Sequence, residues 1–281
     1  MELLINILKS VIFGIVQGIT EWLPISSTGH LILLEQFMPL NLYADAAANM
    51  EFWNMYKVVI QFGSILAVVV LFWNKLFPFT KDIEPKQQRR IIRTWIMIVI
   101  ASFPAGVIGL LFDDIIDAKL STPIVIALTL IIYGLLFIWM ENRQHEYRIN
   151  SVNKIGPKDA FLMGCFQVLA LIPGTSRSGS TIFGGTMLGF TRSTAAEFSF
   201  FMAIPVMLGA SLLKIIKAEM AFTLSGVIVL VVGMVTAFVV SLLAIKTLMG
   251  YIRRHDFKLF GYYRIVLGLI VIICALTGVF A

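Results

Sequence analysis

Two polar segments interrupt long apolar stretches of the chain, and their side chains are of the types that bind and transfer phosphate. The first holds Glu21, Ser27 and His30, and the second holds Arg177 as the only charge in residues 160–191. An arginine in an apolar run needs polar partners and marks a functional site. The hydroxyl and glycine residues around these four are Ser26, Thr28, Gly174, Thr175, Ser176, Ser178 and Thr181. Guanidinium, hydroxyl and free amide groups bind phosphate, so we predict an anion site.

In the first segment, Gln17 and Glu21 are four residues apart and share one helical face. Pro24 ends that helix. A hydroxyl residue then caps the next short helix. The candidates for this cap are Ser26, Ser27 and Thr28.

The second segment repeats the pattern, with Pro173 and Gly174 as the stop and Thr175 or Ser176 as the cap. Two helix N-termini would then point into one cavity near the middle of the membrane. Their partial positive charges favour an anion there.

The composition is that of a helical integral membrane protein. Of 281 residues, 59% are hydrophobic and 14% are charged, and the mean hydropathy is +0.91, whereas soluble domains have about 25% charged residues. The net charge of +6 is explained by basic loops on one side of the membrane and does not indicate nucleic-acid binding. Cys165 and Cys274 lie in apolar runs and are predicted to be packing residues.

The order of the segments predicts an inverted-topology repeat of six transmembrane helices and two re-entrant helical hairpins, at residues 3–38 and 159–190. The predicted spans are 53–73, 94–112, 121–140, 195–214, 222–246 and 262–280. One membrane domain, 1–281, would consist of a first repeat, 1–141, and a second, 158–281. With one gap before the proline, the first repeat's motif aligns with that of the second: Gly14, Gln17, Pro24, Ser26 and Ser27 with Gly164, Gln167, Pro173, Thr175 and Ser176. Inverted repeats with broken helices are typical of transporters.

The charge distribution predicts the orientation. Most of the 22 lysine and arginine residues, including those in 75–93, 143–158 and 246–264, fall on one side, which is therefore predicted to be cytoplasmic. The first hairpin then enters from outside and the second from the cytoplasm. In the alternative, each hairpin crosses the membrane to give eight spans, and the basic loops then no longer fall on one side. An acidic loop is predicted at Asp113, Asp114 and Asp117, and the five tryptophans are predicted to be interface anchors.

These residues allow a phosphoryl-transfer mechanism, which depends mainly on positioning and charge stabilisation. Ser27 is the candidate nucleophile, with Glu21 or His30 as its base, and Arg177 would hold the phosphate. A metal-activated water is the competing route. In the structural alternative, Glu21 and Arg177 form only an ion pair between the hairpins, the hydroxyl groups are packing residues, and His30 is a hydrogen-bonded structural histidine.

The segments from Gln17 to His30 and from Pro173 to Thr181 resemble the two signature motifs of the bacterial undecaprenyl-diphosphate phosphatase (bacitracin-resistance) family. The resemblance extends through 59–63 and 196–200 to 204–209 and covers nearly the whole chain. It implies a hydrolase of the bacterial inner membrane that converts a C55 polyprenyl diphosphate into the monophosphate and recycles the lipid carrier for cell-wall synthesis.

The resemblance also implies a divalent cation, Mg²⁺ or Ca²⁺. The family has Glu or Gln at the position of Gln17, so here the cation would rely on Glu21, substrate oxygens and water. The expected partners are the prenyl diphosphate and membrane lipids, with no nucleic acid. A homodimer is compatible with the sequence. Because Glu21, Ser27 and His30 lie on the hairpin that enters from outside, we expect the site to open to the outer face.

Other functional classes make different predictions. A transporter or flippase of an anionic prenyl lipid would fit the inverted repeat but would release no phosphate. A phosphohistidine phosphatase needs two widely spaced histidines, whereas His30 is the only histidine in a predicted membrane segment. A purely structural scaffold would not need two polar breaks.

Overall fold

The computed structural model describes residues 1–80, 83–144, 146–217 and 223–279, without the side chains of Asp113, Asp114 and Asp117. Within these residues the chain is helical, with one isolated bridge between Ile149 and Phe190 and no strand. The predicted all-α class is confirmed. The α-helices of the described part are α1 (Glu2–Thr20), α2 (Ser27–Phe37), α3 (Ala46–Leu71), α4 (Trp73–Leu76), α5 (Pro85–Leu120), α6 (Pro123–Glu141), α7 (Pro157–Val168), α8 (Arg177–Met187), α9 (Arg192–Ile216), α10 (Leu224–Tyr251) and α11 (Lys258–Leu276).

In the described part of the chain, 7 helices are long and apolar enough to cross a membrane. Helices α3, α5, α6, α9, α10 and α11 correspond to the six predicted spans. The remaining one is α1, which the sequence assigns to a re-entrant hairpin. The protein is therefore an all-α integral membrane protein, and its exact topology stays a prediction.

Each predicted hairpin starts and finishes at the same end of the molecule. In the first, the amide nitrogen Nδ2 of Asn6 in α1 donates to the carbonyl oxygen of Asn41, beyond the end of α2, at 2.8 Å. In the second, Arg148 pairs with Asp159 in α7 and donates to the carbonyl oxygen of Leu188, next to the end of α8. Both hairpins thus return to the end from which they started, as re-entrant segments do.

The first helix of each hairpin ends beside the middle of a longer helix. Helix α1 runs parallel to α10, because Ser10 donates to the carbonyl oxygen of Val229 at 2.6 Å and the carbonyl oxygen of Gly18 accepts from Ser241 at 3.2 Å. Helix α7 lies against α5, where a Cβ added at Gly164 would be 2.4 Å from the Ala101 carbonyl oxygen. The breaks that follow α1 and α7 therefore lie deep inside the helical bundle.

The helix pairing is the same when the two halves are exchanged. Helix α1 packs on α10 and α7 packs on α5, while α3 packs on α9 and α6 packs on α11. This is the pattern expected of two repeats. The domain boundaries at 141 and 158 stay a prediction.

The register predicted between the repeats is wrong by one residue beyond the break. Ser26 and Ser176 are the N-caps of α2 and α8, and both have a positive φ, of 73° and 71°. They are therefore equivalent, and no gap is needed. A capping side chain is fixed by the amide it accepts from, whereas a proline only limits where a helix ends. Ser26 is one of the predicted cap candidates, and Ser27 now corresponds to Arg177 rather than to Ser176.

Two predicted loops are partly helical. Helix α5 continues to Leu120 as one helix of 36 residues with Pro104 inside it. The prediction of an acidic loop at 113–117 is therefore wrong, because the backbone there is helical. The side chains of Asp113, Asp114 and Asp117 lie outside the described part. Helix α3 begins at Ala46, where Asp45 caps it, so the polar residues that precede the predicted span extend this helix.

Candidate active site

The two breaks have one geometry, built by their capping serines. The Oγ of Ser26 accepts from the backbone N–H of Gly29 at 3.3 Å, and the Oγ of Ser176 accepts from the N–H of Gly179 at 3.1 Å. Each cap residue has a left-handed φ, which costs on the order of 1–3 kcal/mol for a residue other than glycine. The cap places Ser27 and Arg177 at the first positions of α2 and α8.

Glu21 is the centre of the site. Its side chain is only 4% exposed, and its carboxylate accepts three hydrogen bonds. Oε2 accepts from Gln17 Nε2 at 2.9 Å and from Ser27 Oγ at 2.8 Å, and Oε1 accepts from Arg177 Nη2 at 3.0 Å. Three residues of the first segment, Gln17, Glu21 and Ser27, therefore meet Arg177 of the second segment in the interior.

Arg177 is held by Ser199 and Trp22, whose roles here were not predicted from the sequence. Its Nη1 donates to the carbonyl oxygen of Ser199 at 2.9 Å and lies 3.2 Å from the Ser199 hydroxyl, which pairs with Thr181 Oγ1 at 2.7 Å. Its Cζ lies 5.4 Å from the centre of the Trp22 ring. Ser199 lies in 196–200, one of the segments that carry the family resemblance, and that resemblance could have pointed to it. Trp22 is fully buried, so its assignment as an interface anchor is wrong.

Three buried polar atoms around the ion pair have no hydrogen-bond partner in the described structure. They are Arg177 Nε, Trp22 Nε1 and Gln17 Oε1. Leaving a buried donor or acceptor unsatisfied costs about 1–3 kcal/mol. Their concentration around Glu21 marks the place where a polar ligand or water would satisfy them.

The predicted hydroxyl groups have different contacts. Ser178 Oγ lies 3.1 Å from both the Glu21 carbonyl oxygen and Ser176 Oγ, so it joins the two breaks. Thr181 donates to the Arg177 carbonyl oxygen at 2.7 Å. Ser178 and Thr181 therefore organise the site from within the protein.

Thr28 instead lines a cavity of about 170 Å³, together with Pro173 of the second break. Its polar lining also includes Asn54, Lys57, Gln61, Ser121 and Lys214. The cavity extends from the breaks toward the end of the molecule where α3 begins and α9 ends, which is the predicted outer end.

The ring nitrogens of His30 contact groups other than the Ser27 hydroxyl. Its Nδ1 lies 2.7 Å from the carbonyl oxygen of Ser26, and its Nε2 lies 2.7 Å from the hydroxyl of Tyr263. Because a carbonyl oxygen can only accept, Nδ1 carries a proton. Of the two bases predicted for Ser27, Glu21 contacts the hydroxyl, and His30 supports the carbonyl of the strained cap residue.

Arg264 is a second arginine in the interior, whereas the basic run at 246–264 predicts a cation of a cytoplasmic loop. It is 0% exposed and donates only to carbonyl oxygens. Nη1 reaches the carbonyl of Pro24 at 3.1 Å, and Nη2 reaches those of Gly174 and Thr175 at 3.0 and 2.9 Å. Arg264 therefore links the two breaks to each other. Gly174 has a φ of 86°, and a Cβ there would lie 2.2 Å from Thr129 Oγ1, so only glycine fits.

A divalent cation would find a partial set of ligands at Glu21. No group of three His, Cys, Asp or Glu residues suited to a metal occurs in the described part of the chain. The Glu21 carboxylate and the unpartnered Gln17 Oε1 offer two kinds of oxygen. Mg²⁺ is commonly held by one or two carboxylates together with substrate phosphates and water. The residues fit a cation that is bound mainly by a diphosphate.

Comparison with known proteins shows which family the chain belongs to. Residues 10–270 match the family model described as "Bacitracin resistance protein BacA". The chain is 54% identical over 272 residues to "Undecaprenyl-diphosphatase" of Acetivibrio thermocellus, covering 96% of this chain and 98% of that one. It is 52% identical over 269 residues to "Undecaprenyl-diphosphatase 1" of Clostridioides difficile, covering 96% of each. It is 50% identical over 275 residues to "Undecaprenyl-diphosphatase" of Enterococcus faecalis, covering 96% and 97%.

Proposed function

The chain belongs to the bacitracin resistance protein BacA family, and we propose that it hydrolyses undecaprenyl diphosphate to undecaprenyl phosphate and inorganic phosphate. This recycles the lipid carrier of cell-wall synthesis. The observation that carries the proposal is the buried contact of Ser27 Oγ with Glu21 Oε2, at 2.8 Å, beside the guanidinium of Arg177. A nucleophile, a base and a phosphate-binding cation are the parts that a metal-assisted or covalent phosphatase needs.

Substrate entry starts with Arg177. The guanidinium is paired with Glu21, so an incoming phosphate competes with the carboxylate for it. Arginine binds phosphate through two parallel N–H donors, and the unpartnered Nε provides one more donor. Once Arg177 turns to the phosphate, Glu21 keeps its contact with the Ser27 hydroxyl and is placed to accept the proton of that hydroxyl.

The first chemical step is attack of Ser27 Oγ on the terminal phosphorus. The serine proton passes to Glu21, the bond from that phosphorus to the bridging oxygen breaks, and undecaprenyl phosphate leaves. The departing undecaprenyl phosphate takes that proton from Glu21, which leaves the carboxylate free again. Water then attacks the phosphoserine with Glu21 as base, and the proton that Glu21 accepts passes to Ser27 Oγ as inorganic phosphate leaves. The amide groups at the starts of α2 and α8 stabilise the negative charge of the transferring group.

Other residues hold these groups in place. Ser199 and Thr181 orient Arg177, while His30 and Arg264 hold the breaks through their carbonyl oxygens. A divalent cation, when bound, supplies charge neutralisation on the diphosphate oxygens, and Glu21 with Gln17 Oε1 would hold it. All of these groups belong to one chain, so a homodimer is not needed to complete the site.

The membrane setting is part of the proposal. The protein lies in the bacterial inner membrane with its basic loops in the cytoplasm. The diphosphate enters through the cavity beside Thr28 from the outer face, and the prenyl tail stays in the lipid. The position of that cavity at the end opposite the basic loops supports this orientation.

The test is phosphate release from undecaprenyl diphosphate by the purified protein in detergent. Ser27→Ala should lower kcat by about a thousandfold or more. Arg177→Lys should lower kcat/KM by about a hundredfold, because an ammonium group does not replace the planar guanidinium.

The controls separate the competing routes. Full release by Ser27→Ala would exclude the covalent route in favour of an activated water, and a chelator series on the wild type measures the need for a cation. An absence of phosphate release from the folded wild type, with or without added Mg²⁺, would overturn the proposed function and favour transport of the prenyl lipid.

A further inference from the structure

A second and larger cavity, of about 360 Å³, lies at the opposite end of the molecule from the cavity beside Thr28. It is bounded by α4, the first turns of α5, the loop at 150–153 and the first turns of α9. Its lining is mostly polar, with amide, hydroxyl and charged side chains. It shares no lining residue with the candidate active site.

The charges around this cavity leave an excess of positive charge. Lys75 Nζ lies 2.8 Å from Glu197 Oε1, so this ion pair neutralises the acid that lines the cavity. Arg90 is exposed at the rim and has no ion-pair partner in the part of the chain that the structure describes. A small anion in the cavity would therefore meet a guanidinium with all of its donors available.

Neutral donors complete the lining. The amide groups of Asn74, Gln87, Asn150 and Asn153 and the hydroxyl groups of Ser151 and Ser193 all line the cavity. Ser193 lies in the first turn of α9, where backbone N–H groups have no partner within the helix. A phosphate group has several acceptor oxygens and suits such a set of donors around one cation. Among the described lining residues a metal cation would find one carboxylate, that of Glu197, which is already paired with Lys75.

We propose that this cavity binds a phosphate-bearing anion, taken either from the headgroup of an anionic phospholipid or as free inorganic phosphate. A cavity of about 360 Å³ is large enough to admit either source. The basic loops of the same end are those that the charge rule assigns to the cytoplasm, where anionic headgroups attract basic segments. The site is separate from the catalytic one and does not depend on the proposed reaction.

The experiment compares Arg90→Gln with Arg89→Gln in the full-length protein. Arg89 is an exposed neighbour on α5 that does not line the cavity, so the two variants change the net charge equally. Phosphate binding is measured by thermal shift in detergent at constant ionic strength. Retention of phosphatidylglycerol relative to phosphatidylcholine is measured by native mass spectrometry.

We expect Arg90→Gln to weaken binding by about tenfold or more, the loss expected for a charge-assisted hydrogen bond, and Arg89→Gln to leave it within about twofold. If Arg90→Gln loses the rise in melting temperature caused by phosphate, free phosphate is the ligand. If it loses the retention of phosphatidylglycerol, the headgroup is the ligand. Equal effects of the two variants, or none, would overturn the proposal. Both proteins keep the catalytic residues, so phosphate release measured in parallel tests the proposed function separately.

Discussion

Arg264 is a buried cation whose hydrogen bonds in the described part of the chain all go to neutral carbonyl oxygens. It helps to explain why two broken helices are stable inside a membrane protein. Residues at a helix break leave carbonyl oxygens without intrahelical partners, and such groups cost several kcal/mol each in an apolar surrounding. The guanidinium satisfies the carbonyls of Pro24, Gly174 and Thr175 at once. Its fixed geometry therefore sets the distance between the breaks, and with it the distance between Ser27 and Arg177.

Arg264→Lys should separate charge from geometry at this position. The lysine keeps the positive charge but lacks the planar guanidinium, so it cannot donate to all three carbonyl oxygens of the two breaks at once. We expect kcat for phosphate release to fall by about tenfold or more and the melting temperature to fall by several degrees. The matched control is Arg253→Lys, at an exposed position beyond α10, which should change neither. Unchanged kcat in Arg264→Lys would contradict the positioning role.

The residues that meet around the Glu21–Arg177 ion pair were easier to predict from the sequence than the residues that hold them in place. Glu21, Ser27 and Arg177 could be found because each interrupts an apolar run, and a buried polar group in such a run needs a reason. Arg264 lies near the start of α11, close to a basic loop, and nothing in its spacing distinguishes it from a loop cation. Trp22 was predicted to be an interface residue because it lies near the end of an apolar segment. Only the packing of Phe200 and Arg177 against its ring shows that it is interior.

At the scale of the elements, glycines set how closely the helices approach. A Cβ added at Gly63 in α3 would lie 2.1 Å from the carbonyl oxygen of Met234 in α10. Gly134 in α6 and Gly261 in α11 each face the carbonyl oxygen of the other, at 2.7 and 2.8 Å from an added Cβ. Close backbone contact is the main way that membrane helices gain packing energy, because burial of apolar groups gives little in lipid.

Gly63→Ala should therefore destabilise the protein, although alanine is the better helix former. The new methyl group meets backbone of α10 and not a movable side chain, so the helices must separate. We expect a loss of about 1–3 kcal/mol, measured as a lower melting temperature in detergent. Gly106→Ala in α5 is the control, since nothing lies within 4 Å of an added Cβ there, and it should be neutral or stabilising. Equal melting temperatures for the two variants would mean that α3 and α10 are not in close contact.

Element types were predictable because each span is a long apolar run, but element ends were less so. The acidic segment at 113–117 reads as a loop by charge, yet α5 continues through it to Leu120. Proline was also a poor guide to register. Pro24 and Pro173 both stand near a break, but the serine caps, not the prolines, occupy equivalent positions in the two repeats.

For the whole molecule, the two halves explain why the site lies in the interior. Helices α1 and α7 start from opposite ends, run parallel to α10 and α5, and stop beside their middles. The breaks meet there, and Ser178 and Arg264 connect them. Neither half contains the whole site, because Glu21 and Ser27 come from the first hairpin and Arg177 comes from the second. The repeat could be predicted from the sequence, whereas the depth at which the breaks meet required the helix packing.

This architecture predicts which loops share a side of the membrane. The contact of Asn6 with the Asn41 carbonyl places the start of α1 beside the loop after α2, so Glu2→Cys and Ala44→Cys should react alike. In a chain with Cys165 and Cys274 replaced by serine, we expect a membrane-impermeant maleimide to label both positions on intact cells. Lys154→Cys and Arg254→Cys, in the basic loops, should react only after permeabilisation. If Glu2→Cys and Ala44→Cys were labelled from opposite sides, the first hairpin would cross the membrane, and entry of the diphosphate from the outer face through a re-entrant break would be wrong.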